Sequence, residues 1–141
     1  MARIPKIFID SSVLIAGLYS NKGGSAKILK KIAQRKLVGF ISPPIIEETK
    51  RNIRKKFSLK LLSELEAIVK GLTIQETFEP QDIFEFKPLI NIKDLHVLVF
   101  AKNSKADFLI TLDKKHFKTK KLQEANLPFK ILTPREFLSL K

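Results

Sequence analysis

Acidic residues stand where short apolar segments of the sequence end. Asp10 closes the segment KIFID, Glu47 and Glu48 follow the segment VGFIS, and Asp113 follows the segment DFLIT. If these segments are parallel strands, their carboxyl ends share one edge of a sheet, so these acids come close together. Asp94 opens an apolar segment instead of closing one. Sheet topology alone therefore does not place Asp94 at the same edge.

Carboxylates grouped in this way predict a divalent cation. The chain has 14 Asp and Glu against 27 Lys and Arg, and several of its few acids on one edge would repel one another. Mg²⁺ and Mn²⁺ relieve that repulsion because they prefer carboxylate oxygens and water. Each acid also has a simpler explanation when taken singly, as a helix cap or as an acid in the first turn of a helix. The acids are informative only as a set.

The elements that position these acids alternate between strand and helix. The pattern predicts strands at residues 6–10, 38–42, 72–76, 107–111 and 129–132. It predicts helices at residues 11–19, 26–36, 43–57, 93–104, 114–124 and 134–140, and a further helix that Ser58 caps. Residues 21–25 resemble a turn, and residues 78–92 resemble a loop with one helical turn. Strands separated by helices predict an α/β fold with a parallel sheet and right-handed crossovers.

Length and composition restrict the classes of protein. A chain of 141 residues predicts one domain over residues 1–141. Since Cys is absent, a disulfide framework, a thiol nucleophile and a zinc finger are excluded. The longest uncharged run, at residues 11–21, is too short to span a membrane. We detect no targeting segment, and we expect a cytoplasmic protein without a membrane partner.

The net charge of +13 and the pI near 10.0 predict a polyanionic partner. Nucleic acid is the first candidate, and an anionic membrane surface is the second. Two basic groups follow the acids along the chain and are expected to hold phosphates, a contact that sets affinity but not sequence. These groups consist of Arg51 and Arg54, and of Lys114, Lys115 and Lys118.

Four stretches of the sequence, taken in order, resemble the PIN-domain family of metal-dependent nucleases. They read FIDSSVLIAGL, ISPPIIEETKRNI, KDLHVLVFAKNSKADFLITLDKKHF and TPREFLSL. The resemblance is to the single-domain, toxin-like (VapC-like) branch and covers nearly the whole chain. It implies a three-layer α/β/α sandwich with a parallel sheet of about five strands.

The resemblance also implies a set of site residues. The metal-site acids of the family, which are its catalytic residues, match Asp10, Glu48, Asp94 and Asp113. Glu47 remains the alternative to Glu48, because the match is ambiguous by one residue. Ser12 and Thr111 match polar positions that brace the acids. The implied cofactor is Mg²⁺ or Mn²⁺, with one ion or two, and the implied reaction is hydrolysis of phosphodiester bonds in single-stranded RNA. An antitoxin protein and a homodimer are expected partners.

Three other classes compete with this interpretation. A nucleic-acid-binding scaffold with the same fold and little catalysis has no need for four acids on a basic protein. A phosphatase that uses an aspartyl nucleophile is disfavoured, since the sequence after Asp10 is Ser11-Ser12 and lacks a second Asp. A doubly wound nucleotide-binding protein is also disfavoured, because no phosphate-binding glycine motif is present.

Overall fold

The chain folds around one parallel β-sheet, which a computed structural model describes for residues 3–140. The strands in this part are β1 (Lys6–Ile9), β2 (Val38–Ile41), β3 (Thr73–Ile74), β4 (Phe108–Ile110) and β5 (Lys130–Leu132). Their order across the sheet is β3-β2-β1-β4-β5, and every neighbouring pair is parallel. The predicted α/β fold with a five-stranded parallel sheet is confirmed.

Helices flank the sheet and connect its strands. They are α1 (Ser11–Tyr19), α2 (Gly23–Ala33), α3 (Pro43–Arg54), α4 (Leu59–Lys70), α5 (Gln81–Phe86), α6 (Leu95–Asn103), α7 (Lys114–Phe117), α8 (Lys120–Glu124) and α9 (Pro134–Leu138). A short 3₁₀ helix, Lys87–Leu89, follows α5. Helix α1 packs against α2, α3 and α4, whereas α5 packs against α6. Right-handed crossovers place the first group on one face of the sheet and the helices between β3 and β5 on the other.

The direction of the chain across the sheet reverses between β1 and β4. The chain runs outward from β1 to β3 and then returns to the other side of β1 as β4. Ile7 pairs with Phe108 and Ile9 with Ile110. The Asp10 amide continues this pairing, because it donates to the Ile110 carbonyl at 3.0 Å. The crevice outside such a reversal is where open α/β sheets bind ligands.

The two strands at this reversal are the most deeply buried part of the core. Ile7, Phe8 and Ile9 of β1 have no exposed surface, and neither do Leu109 and Ile110 of β4. Near-continuous apolar strands are expected in a parallel sheet that is covered on both faces. Each such side chain contributes about 1.5–3 kcal/mol by leaving water, so the ends of β1 and β4 are held firmly.

Helix α2 begins earlier than the sequence predicts. The predicted turn at residues 21–25 is wrong in its second half, because α2 starts at Gly23. Gly24 allows the start of α2 to approach α9 closely, since a Cβ atom at Gly24 would lie 3.0 Å from the Cβ of Pro134. These glycines serve a helix contact as well as a turn.

The single helix predicted for residues 114–124 is also wrong. The chain forms α7 and α8 instead, and between them Thr119 takes an extended backbone and accepts a hydrogen bond from the Leu122 amide at 3.2 Å. Phe117 and Leu122 are both buried, and residues five apart do not lie on the same face of one helix. The break lets both side chains enter the core.

A network of charged side chains fixes α6, the helix that Asp94 precedes. Asp82 of α5 is 2% exposed and accepts hydrogen bonds from Lys102 and Asn103 at the end of α6. Lys102 also donates to Glu85 at 2.9 Å. The pairing of the buried Asp82 with the partly exposed Lys102 ties α5 to α6.

Among residues 3–140, none of the helices has the length and hydropathy that spanning a membrane requires.

Candidate metal and nucleic-acid site

Asp10 lies at the carboxyl end of β1, where its side chain caps the start of α1. It is only 6% exposed, and its Oδ1 accepts a hydrogen bond from the Ser11 amide at 2.9 Å. Its Oδ2 accepts from the Ser12 hydroxyl at 2.9 Å and from the Thr111 hydroxyl at 2.7 Å. Burial raises the pKa of Asp10 above its ordinary value and the neighbouring Glu48 carboxylate adds to the rise, although the hydrogen bonds oppose it.

Two hydroxyl groups connect the ends of β1 and β4. The Thr111 Oγ1, which donates to Asp10, also accepts from the Asp113 amide at 3.0 Å. The Ser12 Oγ donates to Asp10 and accepts from the Leu112 amide at 3.0 Å. Each hydroxyl therefore uses its donor on a carboxylate and its acceptor on the backbone that leads to Asp113. The structure places Ser12 and Thr111 against Asp10, where bracing residues would lie.

Asp113 caps the short helix α7. Its Oδ1 accepts from the His116 amide at 3.1 Å, and its Oδ2 lies 2.7 Å from the His116 Nδ1. The Asp113 side chain is 32% exposed, so it remains open to solvent. Asp10 and Asp113 do cap helices, which was the simpler explanation offered for each acid taken singly. Capping leaves both carboxylates at the sheet edge.

Glu48 and Glu47 point in different directions from α3. Ile45, Thr49 and Ile53 form the buried face of this helix, and Glu48 lies beside that face. The Glu48 Oε2 accepts a hydrogen bond from the Ser11 hydroxyl at 2.7 Å. The Glu47 Oε1 instead lies 3.4 Å from Arg54. The structure thus brings Glu48, and not Glu47, to the residue that follows Asp10.

Asp94 precedes α6 but does not cap it with its side chain. Its carboxylate is half-buried and makes no hydrogen bond within residues 3–140. Burial raises the pKa of Asp94, and the carboxylates of Asp113 and Glu48 add to the rise, while the His116 and His96 side chains oppose it. These influences place Asp94 near the other acids.

The donor set suits a hard divalent cation in its chemistry. The acids offer carboxylate oxygens, which Mg²⁺ and Mn²⁺ prefer. A cation would offset both the burial, which is the main cause of the raised pKa of Asp10 and Asp94, and the smaller contribution of neighbouring carboxylates. As the side chains stand, however, no three Asp, Glu or His residues in the described part of the chain converge closely enough to hold a metal ion. The acids share an edge, and binding a cation requires their side chains to draw together.

The comparison with known families agrees with this architecture. A model of the PIN-domain family matches residues 6–115, a range that contains all four acids. The chain belongs to the PIN-domain family. Members of this family are generally metal-dependent nucleases that use divalent metals, so membership implies a nuclease-type function for this PIN domain.

Two individual proteins resemble this PIN domain. The chain is 30% identical, over 94% of its length and 89% of the relative's, to the uncharacterized protein MJ1680 of Methanocaldococcus jannaschii. The crystal structure of PAE2754 from Pyrobaculum aerophilum superposes with a TM-score of 0.60 and covers 97% of this chain and 89% of that chain. At 16% sequence identity, the second likeness shows the fold alone.

The basic residues of the PIN domain differ in solvent exposure and in their contacts with the rest of the protein. Arg51, Lys114 and Lys115 are exposed, and Arg54 is exposed beside Glu47. Lys118 is different, since its Nζ donates to the Ile131 carbonyl at 2.6 Å and lies 3.1 Å from Glu136. Its ammonium group is held within the protein, and this contact argues against the predicted phosphate role of Lys118.

Sequence reasoning missed Ser11 as a site residue. Its amide binds Asp10 and its hydroxyl binds Glu48, so it joins two acids from different elements. Its position directly after an Asp that ends a strand could have indicated this role. Phe117, although it follows Asp113 among basic residues, is 2% exposed and lies in the core. Asp107 pairs with Arg3 at the opposite end of β4.

Proposed function

We propose that this PIN domain is a Mg²⁺- or Mn²⁺-dependent endoribonuclease that hydrolyses phosphodiester bonds of single-stranded RNA. The observation that carries the proposal is the hydroxyl bridge from Asp10 through Thr111 to the Asp113 amide. It gathers two acids at the reversal of the sheet, beside Glu48 and Asp94. A protein with a net charge of +13 that places four of its 14 acids at one edge is suited to hold both a cation and a polyanion.

In this proposal, Asp10, Glu48, Asp94 and Asp113 hold the cation. A divalent ion supplies Lewis-acid chemistry when bound, which polarises a phosphate oxygen and makes water a nucleophile near neutral pH. Ser12 and Thr111 orient the Asp10 carboxylate, and Ser11 orients Glu48. His116 holds both oxygens of Asp113, one through its amide and one through its ring, while that carboxylate stays partly exposed at the edge.

The exposed basic residues bind the RNA backbone in this proposal. Lys114 and Lys115 directly follow Asp113, and Arg51 and Arg54 lie further along the helix of Glu48. Each phosphate that they neutralise adds about 0.7 to the salt dependence of binding to a single strand. The double change Lys114→Ala and Lys115→Ala is therefore expected to weaken RNA binding and to lower its salt dependence by about 1.4.

The toxin-like motifs further suggest a biological setting. We place the protein as the toxin of a toxin–antitoxin pair, with an antitoxin protein and a second copy of the chain as partners. Support for this setting comes from the resemblance of the motifs alone.

Cleavage of labelled single-stranded RNA tests the proposed reaction. The purified protein is incubated with Mn²⁺, with Mg²⁺ or with EDTA, beside the variants Asp113→Asn and Glu66→Gln. Glu66 is the matched control, because it is an exposed carboxylate on α4 that takes no part in the site. We expect metal-dependent cutting that is lost in Asp113→Asn and kept in Glu66→Gln. Cutting by Asp113→Asn at the wild-type rate would refute the assignment of the acids.

A binding scaffold without catalysis is the second candidate. The observation that favours it is that no three acids converge within residues 3–140. Salt-sensitive RNA binding without cutting in either metal would select the scaffold over the nuclease.

A further inference from the structure

A cavity lies beside the acid edge, which consists of Asp10, Glu48, Asp94 and Asp113, and it has no part in the function described so far. It has a volume of about 330 Å³ and lies between residues 88–91 and residues 115–121. One wall is apolar and the facing wall is basic; the residues concerned are Pro88, Leu89 and Ile90, and Lys115, His116 and Lys121. Its volume is near the lower end of the range of ligand pockets, about 300–1,000 Å³.

The cavity is next to the proposed reaction site. His116 lines it, and the Nδ1 atom of the same ring lies 2.7 Å from the Oδ2 of Asp113. Lys115 lines it as well and is two residues from Asp113. A molecule in the cavity is therefore separated from an acid of the site by a single side chain.

The polar groups that line the cavity are mainly hydrogen-bond donors. Asn91 uses its Oδ1 to accept from the Lys93 amide at 2.9 Å, which leaves its Nδ2 as a donor. Thr119 uses its Oγ1 to accept from the Leu122 amide at 3.2 Å, which leaves its hydroxyl hydrogen. Lys121 gives one hydrogen to the Pro88 carbonyl at 3.3 Å and keeps two. Within residues 3–140 no carboxylate lines the cavity, so the cavity is suited to an anion rich in acceptors.

We propose that this cavity is a subsite for one nucleotide of the RNA, next to the bond that is cut. The inference rests on the proposed function for the substrate and adds where and how a nucleotide is recognised. Lys115 and Lys121 bind the phosphate, and the base lies against the apolar wall of Pro88, Leu89 and Ile90. The donors of Asn91 and Thr119 fit carbonyl oxygens, so uracil and guanine are preferred over adenine, which has no carbonyl oxygen.

Binding of mononucleotides to the full chain tests the subsite without any metal. Amide resonances are followed by NMR during titration with uridine 5′-monophosphate, adenosine 5′-monophosphate and inorganic phosphate. We expect saturable shifts at residues 89–91 and 115–121, and an affinity for the uridine nucleotide at least about fivefold above that for phosphate or for the adenosine nucleotide. A fivefold difference is the size of about 1 kcal/mol of specific contact.

Two neighbouring lysines provide the matched variants. Lys121→Ala removes a cavity charge, whereas Lys120→Ala removes the same charge from the same helix at a side chain that is 87% exposed and outside the cavity. We expect Lys121→Ala to weaken uridine monophosphate binding about three- to fivefold, as for one partly exposed charge, and Lys120→Ala to leave it nearly unchanged. Thermal unfolding of both variants checks that the fold is kept.

Three results would overturn the subsite. They are equal weakening by the two lysine variants, equal affinity for phosphate and the uridine nucleotide, and equal affinity for the two nucleotides. The proposed reaction is judged separately by cleavage of RNA with metal. A chain that binds the uridine nucleotide as expected but cuts no RNA would refute the reaction and support the cavity as an RNA-binding site.

Discussion

Removal of the Thr111 hydroxyl provides the sharpest test of how the acid edge is held. Thr111 is fully buried, and its one oxygen serves two partners, Asp10 at 2.7 Å and the Asp113 amide at 3.0 Å. The change Thr111→Val keeps the shape of the side chain and removes both hydrogen bonds. A bond to a charged group contributes about 1.5–3 kcal/mol and a neutral one about 0.5–1.5 kcal/mol. Because Asp113 is partly exposed and can bind water instead, we expect a loss of about 2–4 kcal/mol in the free energy of unfolding at neutral pH.

The free energy of unfolding that Thr111→Val loses should depend on pH, and the environment of Asp10 sets the direction of that dependence. The pKa of Asp10 in the folded protein is raised above its ordinary value. The stability that Asp10 contributes is therefore fully present below its pKa in the unfolded chain, and it is lost as the pH rises through its pKa in the folded protein. Thr111→Val raises the folded pKa further, because it removes a donor to the carboxylate. The difference between wild type and variant should therefore grow with rising pH. At about pH 3, below the ordinary pKa of Asp, it should shrink to about 1–3 kcal/mol, the value of two neutral bonds.

Urea unfolding in EDTA, at about pH 3 and about pH 7, measures both quantities. Thr111→Ser is the control, since it keeps the hydroxyl and loses one methyl group, at a cost of about 1 kcal/mol that does not depend on pH. If Thr111→Val is no more destabilising than Thr111→Ser at about pH 7, the hydroxyl does not hold the acids. A loss that is equal at both pH values would show that the charge of Asp10 takes no part.

Two further predictions concern the neighbouring elements. Glu48→Gln should lower metal-dependent RNA cleavage at least about tenfold, whereas Glu47→Gln should change it little; the reverse ranking, read from cleavage rates, would move the site by one residue. Lys102→Met should lower the free energy of unfolding near neutral pH by about 3 kcal/mol, measured by thermal or chemical unfolding, because it leaves Asp82 buried and without its charged partner. Burial alone would raise the pKa of Asp82, but its bonds to Lys102 and Asn103 hold it below the ordinary value. The wild type should therefore lose the stability from the Asp82–Lys102 pair as the pH falls through the pKa of Asp82. The melting temperature of Lys102→Met should fall less in acid. An equal fall in both proteins would show that the Asp82–Lys102 pair does not govern acid sensitivity.

The positions of the strands along the chain and the acids at their ends could be predicted because they depend on local patterns. Apolar runs such as KIFI, with Asp10 directly behind, indicate both a buried strand and its carboxyl end. Helix periodicity also favoured Glu48 over Glu47, since Ile45, Thr49 and Asn52 flank Glu48 at helical spacing. The family resemblance supplied what periodicity could not, namely the grouping of Asp94 with the other acids.

Contacts between distant parts of the chain were beyond the reach of local patterns. Lys118 follows Asp113 in sequence and was expected to bind phosphate, yet β5 and α9 bring Ile131 and Glu136 to its ammonium group. The link from Ser11 to Glu48 likewise depends on how α1 and α3 pack. The break between α7 and α8 could have been inferred from Phe117 and Leu122, whose spacing conflicts with a single helix.

The bridge at Thr111 also has a consequence for the synthesis of the protein. It joins residues 101 positions apart in the chain, so Asp10 emerges from the ribosome long before its partner does. Such distant pairings form slowly, because a long loop must close before the contact stabilises it. A nascent chain that ends before β4 therefore carries Asp10, Glu48 and Asp94 but lacks Thr111 and Asp113. The assembly of the acid edge is delayed until β4 has been made and has paired with β1.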